Sequence, residues 1–124
     1  MFTEFGKLLR KIRIDQGMLL KDMADAFGVS SAYLSAVETG KKSVSDDLVD
    51  RAAQFLGFKR GSDEYNNLQD AASISRGEVS MSTKGMTPKH QETALAFARH
   101  FERLDAKELD HLLGLLRATK KPED

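Results

Sequence analysis

The residue types that usually carry catalysis or bind metals are sparse in this chain or lack a matching arrangement. There is no cysteine among the 124 residues, which excludes disulfides, thiolate metal sites and cysteine nucleophiles. The three histidines, His90, His100 and His111, lack metal-site spacing with carboxylates. No P-loop, dinucleotide fingerprint or nucleophile elbow is present. We therefore expect no catalytic residue, no metal and no cofactor, in a protein that is not an enzyme.

From Leu20 to Val37, small and apolar residues have the spacing that two crossing helices require. Two helices that cross steeply at a tight turn need a small residue where they approach and a glycine at the turn. They also need apolar residues at fixed offsets in the second helix. Counted from Leu20 as the first position, suitable residues stand at the fifth, ninth, tenth, fifteenth and eighteenth positions: Ala24, Gly28, Val29, Leu34 and Val37. Five matches together predict a helix-turn-helix.

Residues 5–57 resemble the Xre family of helix-turn-helix regulators, the group that contains the lambda-type repressors and Cro. The residues that carry the resemblance are Leu9-Arg10, Ile12-Arg13, Gly17-Met18, Asp22-Met23-Ala24, Phe27-Gly28-Val29-Ser30, Leu34-Ser35, Glu38 and Gly40. The resemblance implies a structural ion pair between Arg13 and Glu38 that ties the first helix to the third. Two departures concern DNA contacts and the following loop. First, Leu19-Leu20 stands where the family has Ser/Thr-Gln. The family's glutamine donates a hydrogen bond to a DNA phosphate, which Leu20 cannot do. Second, Val44 replaces a proline after the third helix and is expected to loosen the loop there.

The resemblance further implies that the third helix enters the major groove of double-stranded DNA with its N-terminal residues at the base edges. The matching base-contact positions are Ser31, Ala32, Tyr33, Ser35 and Ala36. None is an Arg, Asn or Gln, so we expect modest discrimination per base and reliance on DNA shape and dimer spacing. For Tyr33, packing is the alternative. Phosphate contacts are expected from Ser30, Lys21, Lys41, Lys42 and Ser43, with plain solvation as the alternative for the lysines.

Periodic apolar residues and cap signals predict the helices that position these side chains. Residues 1–72 form a DNA-binding domain of five helices that span 3–16, 20–27, 30–38, 45–56 and 62 to about 72, with Gly17, Gly28, Gly40 and Gly57 as stops. The fourth helix has a predicted apolar face of Leu48, Val49, Ala52, Phe55 and Leu56. Residues 73–86 are rich in Ser, Thr and Gly and are predicted to be a linker, with a short strand at Val79 to Ser82 as the alternative.

Helical signals return in residues 87–118. Thr87-Pro88 suits a helix start, and Asp105 with Glu108 has the spacing of a capping box. The apolar stripes of this region are a candidate dimer or partner interface: Leu95, Phe97, Phe101, Leu104, Leu109, Leu112, Leu113 and Leu116. Packing onto the fourth and fifth helices of the same chain is the alternative. Residues 119–124 are predicted to be a disordered tail. The fold class is all-α: a five-helix lambda-repressor-like helix-turn-helix domain, a linker and a C-terminal helical hairpin.

Charge and hydropathy agree with this organisation. The chain has 19 basic and 19 acidic residues, which excludes a globally basic binder, and 40% of its residues are hydrophobic, enough for a core. Residues 1–60 carry ten basic and eight acidic side chains, so the DNA-binding half is slightly positive. No apolar stretch predicts a membrane span, and no signal peptide is apparent, so the cytoplasm is expected. The predicted function is a sequence-specific repressor that binds DNA as a homodimer. The alternative, which the resemblance implies, is an antitoxin that also neutralises a toxin protein.

Overall fold

The computed structural model describes residues 1–119, and every regular element in that range is helical. These elements are α1 Glu4–Gln16, α2 Leu20–Phe27, α3 Ser31–Glu38, α4 Asp46–Leu56, α5 Asp63–Arg76, α6 Pro88–His100, a 3-10 turn Phe101–Arg103, and α7 Ala106–Arg117. The all-α fold class is confirmed. The chain divides into two compact units, Met1–Ser80 and a second that begins at Met81. The predicted disordered tail falls, from residue 120 onward, outside the described residues.

Short polar side chains define where the helices begin. Thr3 accepts a hydrogen bond from the N–H of Gly6 at 3.1 Å and so satisfies one of the unpaired amides of the first turn of α1. The same bond, from the residue three positions further on, is made at the starts of other helices by Ser30, Ser45, Ser62, Thr87 and Asp105. The predicted helix starts at these caps are confirmed, because a cap is a local signal that the sequence displays directly.

The fifth helix extends beyond its predicted end at about Ala72 and continues to Arg76. Its added turn contains Ser75, whose hydroxyl donates to the carbonyl of Ala71 at 2.8 Å and accepts from the N–H of Phe5 at 2.9 Å. Ser75 therefore satisfies an unpaired amide in the first turn of α1 while it remains helical. The serine content of this segment, which favoured a linker from residue 73, does not reveal that contact. No strand forms within residues 1–119, so the alternative strand is wrong.

The core of the first unit lies between α1 to α5. α1 packs against α5, α3 and α2, whereas α4 packs against α2 and α5. Among the fully buried side chains are Phe5, Leu9, Met23, Leu34, Val37, Leu48, Val49 and Leu68. One core prediction is wrong: Phe55 is 48% exposed. Its ring forms an edge-to-face pair with the ring of Phe27, with centroids 6.1 Å apart, and this contact leaves almost half of the residue accessible.

In the second unit, α6 and α7 begin where predicted. Pro88 is the first residue of α6, and Asp105 and Glu108 exchange backbone-to-carboxylate hydrogen bonds of 2.8 and 3.1 Å at the start of α7. Within residues 1–119, α6 contacts the 3-10 turn that follows it, and no contact between α6 and α7 is present. The 3-10 turn and the extended backbone at Leu104 separate them, and neither helix has a fully buried residue. Within residues 1–119, no helix is both long and apolar enough to cross a membrane.

Candidate nucleic-acid interface

The turn between α2 and α3 has the geometry that the spacing of small and apolar residues predicted. Gly28 has φ 72° and ψ 30°, a left-handed conformation that glycine reaches without a Cβ clash. The N–H of Val29 donates to the carbonyl of Ala24 at 3.0 Å, which turns the chain sharply at the end of α2. On α3, Leu34 and Val37 are completely buried. The side of α3 that carries these two residues therefore faces the core, and its opposite side faces outward.

The start of α2 reflects the departure from the family pattern. Leu19 holds the N-cap position without a side-chain hydrogen bond and is 71% exposed. Its own N–H donates to the carboxylate of Asp22 at 3.1 Å. Leu20, at the position of the family's glutamine, is half-buried and packs against the core. This end of α2 therefore presents an exposed apolar side chain where the family pattern has a polar one.

Arg13 and Glu38, the pair that the resemblance implied, lie together in the structure. Arg13 Nη2 is 3.0 Å from Glu38 Oε1, and Nη1 bonds the other carboxylate oxygen, so the contact is bidentate. The side chains are only 9% and 2% exposed. A buried charge that has lost its partner is strongly destabilising, so each residue depends on the other. This ion pair therefore holds the last residue of α3 against α1.

The backbone of Glu38 is held as well, by the first turn of α1. The N–H and the hydroxyl of Thr3 both donate to the Glu38 carbonyl, at 2.9 and 3.2 Å. Gly6 lies so close that a Cβ built on it would be 2.2 Å from the same carbonyl oxygen. Sequence reasoning missed both contacts, although a glycine inside a helix, which costs about 1 kcal/mol relative to alanine, was an available signal. The C-terminal end of α3 is therefore fixed against the backbone of α1.

The predicted base-contact residues lie along the accessible side of α3. Ala32 and Ser35 are exposed, and Ser31 and Ala36 are half-buried. Within residues 1–119, the hydroxyls of Ser31 and Ser35 form no hydrogen bond with another protein group, so both remain available to a ligand. Tyr33 is half-buried and packs against the core, which favours the packing alternative for most of its ring.

The predicted phosphate contacts occur at the start and the end of α3 and on α2. Ser30 precedes α3 and accepts from the N–H of Tyr33 at 3.0 Å. After α3, the N–H groups of Lys41 and Lys42 donate to the carbonyl of Ala36 at 2.8 and 3.1 Å, which fixes their backbone. Both lysine side chains are exposed, and neither forms an ion pair within residues 1–119. The other two predicted phosphate contacts are also exposed: Lys21 and Ser43.

A further basic side chain, which the sequence did not single out, lies against the turn. Arg51 projects from α4, and its Nη1 donates to the carbonyl of Phe27 at 3.1 Å. Its Nε is 2.9 Å from the carboxylate of Asp47. The partner on α2 is a backbone carbonyl, a group that every residue has, so no sequence signal marks this contact.

The predicted interface residues of the second unit are accessible to differing extents. Leu95, Phe101 and Leu116 are more than half exposed, at 56, 51 and 62%. The rings of Phe97 and Phe101 lie 5.3 Å apart and form a small aromatic pair on the surface. The remaining members are less accessible: Leu104, Leu109, Leu112 and Leu113.

Comparison with known proteins identifies the fold of the first unit. Residues 4–63 match the family described as a helix-turn-helix domain. The transcriptional regulator ClgR of Mycobacterium tuberculosis, in strains CDC 1551 / Oshkosh and ATCC 25618 / H37Rv, is 41% identical over 44 residues, 36% of this chain. The chain spans 39% of the length of these relatives. No solved structure matches it significantly. The chain therefore contains a helix-turn-helix domain, which includes α1 to α4.

Proposed function

We propose that this chain is a sequence-specific DNA-binding transcriptional regulator of the Xre, lambda-repressor-like type. The observation that carries the proposal is the arrangement of α3. Its inner side is buried and its last residue is fixed to α1, while its outer side keeps small residues and two unused serine hydroxyls accessible. The helix-turn-helix match and the likeness to a protein named a transcriptional regulator support it. A helix held in this way suits the major groove.

The outer side of α3 determines what kind of sequence is read. Ser31 and Ser35 can each donate or accept one hydrogen bond, which distinguishes bases weakly. The methyl groups of Ala32 and Ala36 fit against thymine methyls. No bidentate contact is available from these side chains, so several modest contacts, together with DNA shape, make up the specificity. The accessible part of Tyr33 adds a contact at the edge of this surface.

Contacts to the DNA backbone come from residues around the reading helix. Lys41 and Lys42 follow its C-terminus, and Ser30 stands at its N-terminus, so α3 is flanked at both ends by phosphate-binding groups. Lys21 and Ser43 add two more. Each neutralised phosphate releases counterions, which makes the affinity depend on salt. Because the whole chain has no net charge, its affinity for random-sequence DNA is expected to be low.

The regulator acts as a homodimer through its second unit. The exposed leucines and phenylalanines of α6 and α7 support this assembly, since apolar patches of this kind mark interaction surfaces. Two copies place two reading helices about one DNA turn apart, roughly 34 Å, and so read a two-fold symmetric operator. A dimer bound there excludes RNA polymerase and represses the gene without a cofactor, in the cytoplasm.

A second candidate function, an antitoxin, is supported by the same exposed apolar residues on α6 and α7. In this case the second unit binds and neutralises a toxin while the first unit regulates the operon. The two candidates differ in what the second unit contacts. Co-purification of a single stoichiometric partner encoded by the adjacent gene supports the antitoxin, and a pure homodimer in the same preparation contradicts it.

The experiment that tests the proposed function is selection of bound duplexes from a random DNA pool by the full chain. We expect enrichment of a motif with two inverted half-sites whose centres are about 10 base pairs apart, as a two-fold dimer requires. Enrichment of an unrepeated motif would contradict the dimer. Recovery of no motif after repeated rounds would refute sequence-specific binding.

A further inference from the structure

We propose that Arg51 is a positioning residue for DNA reading, which holds from α4 the turn that sets the direction of α3. The proposal rests on the DNA-binding function proposed above and adds a residue that lies outside the two helices of the motif. It predicts that Arg51 determines specificity without contacting a base.

The guanidinium of Arg51 bridges two acceptors. Nη1 donates to the carbonyl of Phe27, the last residue of α2, at 3.1 Å. That carbonyl lies at the helix C-terminus, where backbone acceptors lack intrahelical donors and the helix dipole is negative. Nε pairs at 2.9 Å with the carboxylate of Asp47, one turn earlier on α4. A planar guanidinium held by both acceptors has a defined orientation, which a lone surface ion pair would not give it.

This contact connects α4 to the turn that precedes the reading helix, in addition to the packing of α4 on α2. Within residues 1–119, α3 packs on α1 and α2, whereas α4 packs on α2 and α5 and not on α3. The guanidinium also lies directly against the turn, because a Cβ built on Gly28 would be 2.9 Å from Arg51 Nη1. Arg51 therefore links α4 to the residues that connect α2 with α3.

The two ends of α3 are held by different elements. Arg13 and Thr3 fix its C-terminal residue, Glu38, to α1. If the turn moves while that end stays fixed, α3 tilts about its C-terminus, and the displacement is largest at its N-terminal, base-reading residues. An eight-residue helix is about 12 Å long, so a tilt of about 5° moves that end by about 1 Å. A shift of this size takes a hydrogen bond out of its usual distance range.

The test compares Arg51→Met with Arg60→Met in the full chain. Met keeps the aliphatic bulk, and both variants lose one positive charge. Arg60 is a matched control because its side chain is 81% exposed and 3.8 Å from its nearest carboxylate, that of Asp50. The measured quantity is the ratio of the dissociation constant for random DNA to that for the operator selected by the wild-type chain. Measurements are made at least 15 °C below each melting temperature, so that a loss of stability alone does not change the ratio.

We expect R51M to lower this ratio about tenfold and R60M to leave it within twofold of wild type. Equal ratios in R51M and R60M would overturn the proposal, because a direct phosphate contact or a purely stabilising role lowers both affinities together. If R51M does not fold, Asp47→Ala replaces it. D47A removes a negative charge, which raises the affinity for operator and random DNA alike and by itself leaves the ratio unchanged. Because D47A also removes one of the two acceptors that orient the guanidinium, we expect a ratio about threefold lower; an unchanged or higher ratio would overturn the proposal. Failure of the proposed function can be distinguished from failure of this proposal, because in the first case the wild-type chain itself selects no operator.

Discussion

Replacement of Gly6 by alanine tests the close contact between α1 and the end of α3. A Cβ at this position would lie 2.2 Å from the carbonyl oxygen of Glu38 and 2.9 Å from its carbonyl carbon and Cα. All three are backbone atoms, so no side-chain rotation relieves the clash. α1 and α3 must separate by about 1 Å, and the two hydrogen bonds from Thr3 to that carbonyl are then lost.

The free energy of unfolding follows from three contributions. Overpacking of a close contact costs about 1 to 3 kcal/mol. The two lost hydrogen bonds cost about 1 kcal/mol each. Alanine recovers about 1 kcal/mol, because it is a better helix former than glycine. The net loss is about 2 to 4 kcal/mol, which in a domain of this size lowers the melting temperature by at least about 8 °C.

Thermal unfolding of Gly6→Ala, followed by circular dichroism at 222 nm, measures this loss. Gly114→Ala is the matched control, because Gly114 also lies inside a helix but a Cβ there meets nothing within 4 Å. We expect G114A to leave the unfolding of the first unit unchanged and to increase helix content slightly. A G6A variant that melts at or above the wild-type temperature would refute the direct backbone contact between α1 and α3.

Three further predictions address the buried pair, the phosphate contacts and the second unit. Arg13→Met leaves the Glu38 carboxylate buried without a partner and should lower the free energy of unfolding by about 3 to 5 kcal/mol in a urea titration; an unchanged midpoint would contradict the pairing. Lys41→Ala and Lys42→Ala should weaken binding to operator and random DNA alike and each reduce the salt slope by about one, whereas an unchanged slope removes that lysine from the phosphate contacts. Deletion of residues 87–124 should give a monomer by light scattering with poor operator affinity, and a truncated chain that remains dimeric would show that the second unit is dispensable for assembly.

The parts of the fold that were predictable from the sequence depend on local signals. Ser30 caps α3 and Gly28 forms the turn, and both functions are visible in the residue type and its immediate neighbours. The burial of Leu34 and Val37 follows from their helical spacing. Because these two residues face the core, the opposite side of α3, which carries the candidate base contacts, must face outward.

The contacts that were missed join residues far apart in the sequence through backbone atoms. Thr3 binds the carbonyl of Glu38 and Arg51 binds the carbonyl of Phe27, and neither partner needs a particular residue type. The exposure of Phe55 was missed for a related reason. Periodicity places a residue on the apolar side of a helix but does not tell how far the neighbouring helices extend over it.

The apolar stripes of the second unit predict an interface with a second copy or another protein, with packing onto the fourth and fifth helices of the same chain as the alternative. An apolar stripe on a helix shows that the helix needs a partner but does not identify the partner. In the structure, a 3-10 turn lies between α6 and α7, and leucines on both helices remain exposed. The partner of each stripe was therefore beyond what a single sequence determines.

The claim that α3 reads DNA bases is tested most directly by repeating the DNA selection with a chain that carries both Ser31→Ala and Ser35→Ala. Ser35 is exposed, Ser31 is half-buried, and within residues 1–119 neither hydroxyl bonds another protein group, so the variant should fold as the wild type does, which circular dichroism checks. We expect the enriched motif to change at specific base pairs within each half-site, while the spacing between the half-sites stays the same. Enrichment of the wild-type motif at every position by the double variant would contradict the assignment of α3 as the reading helix.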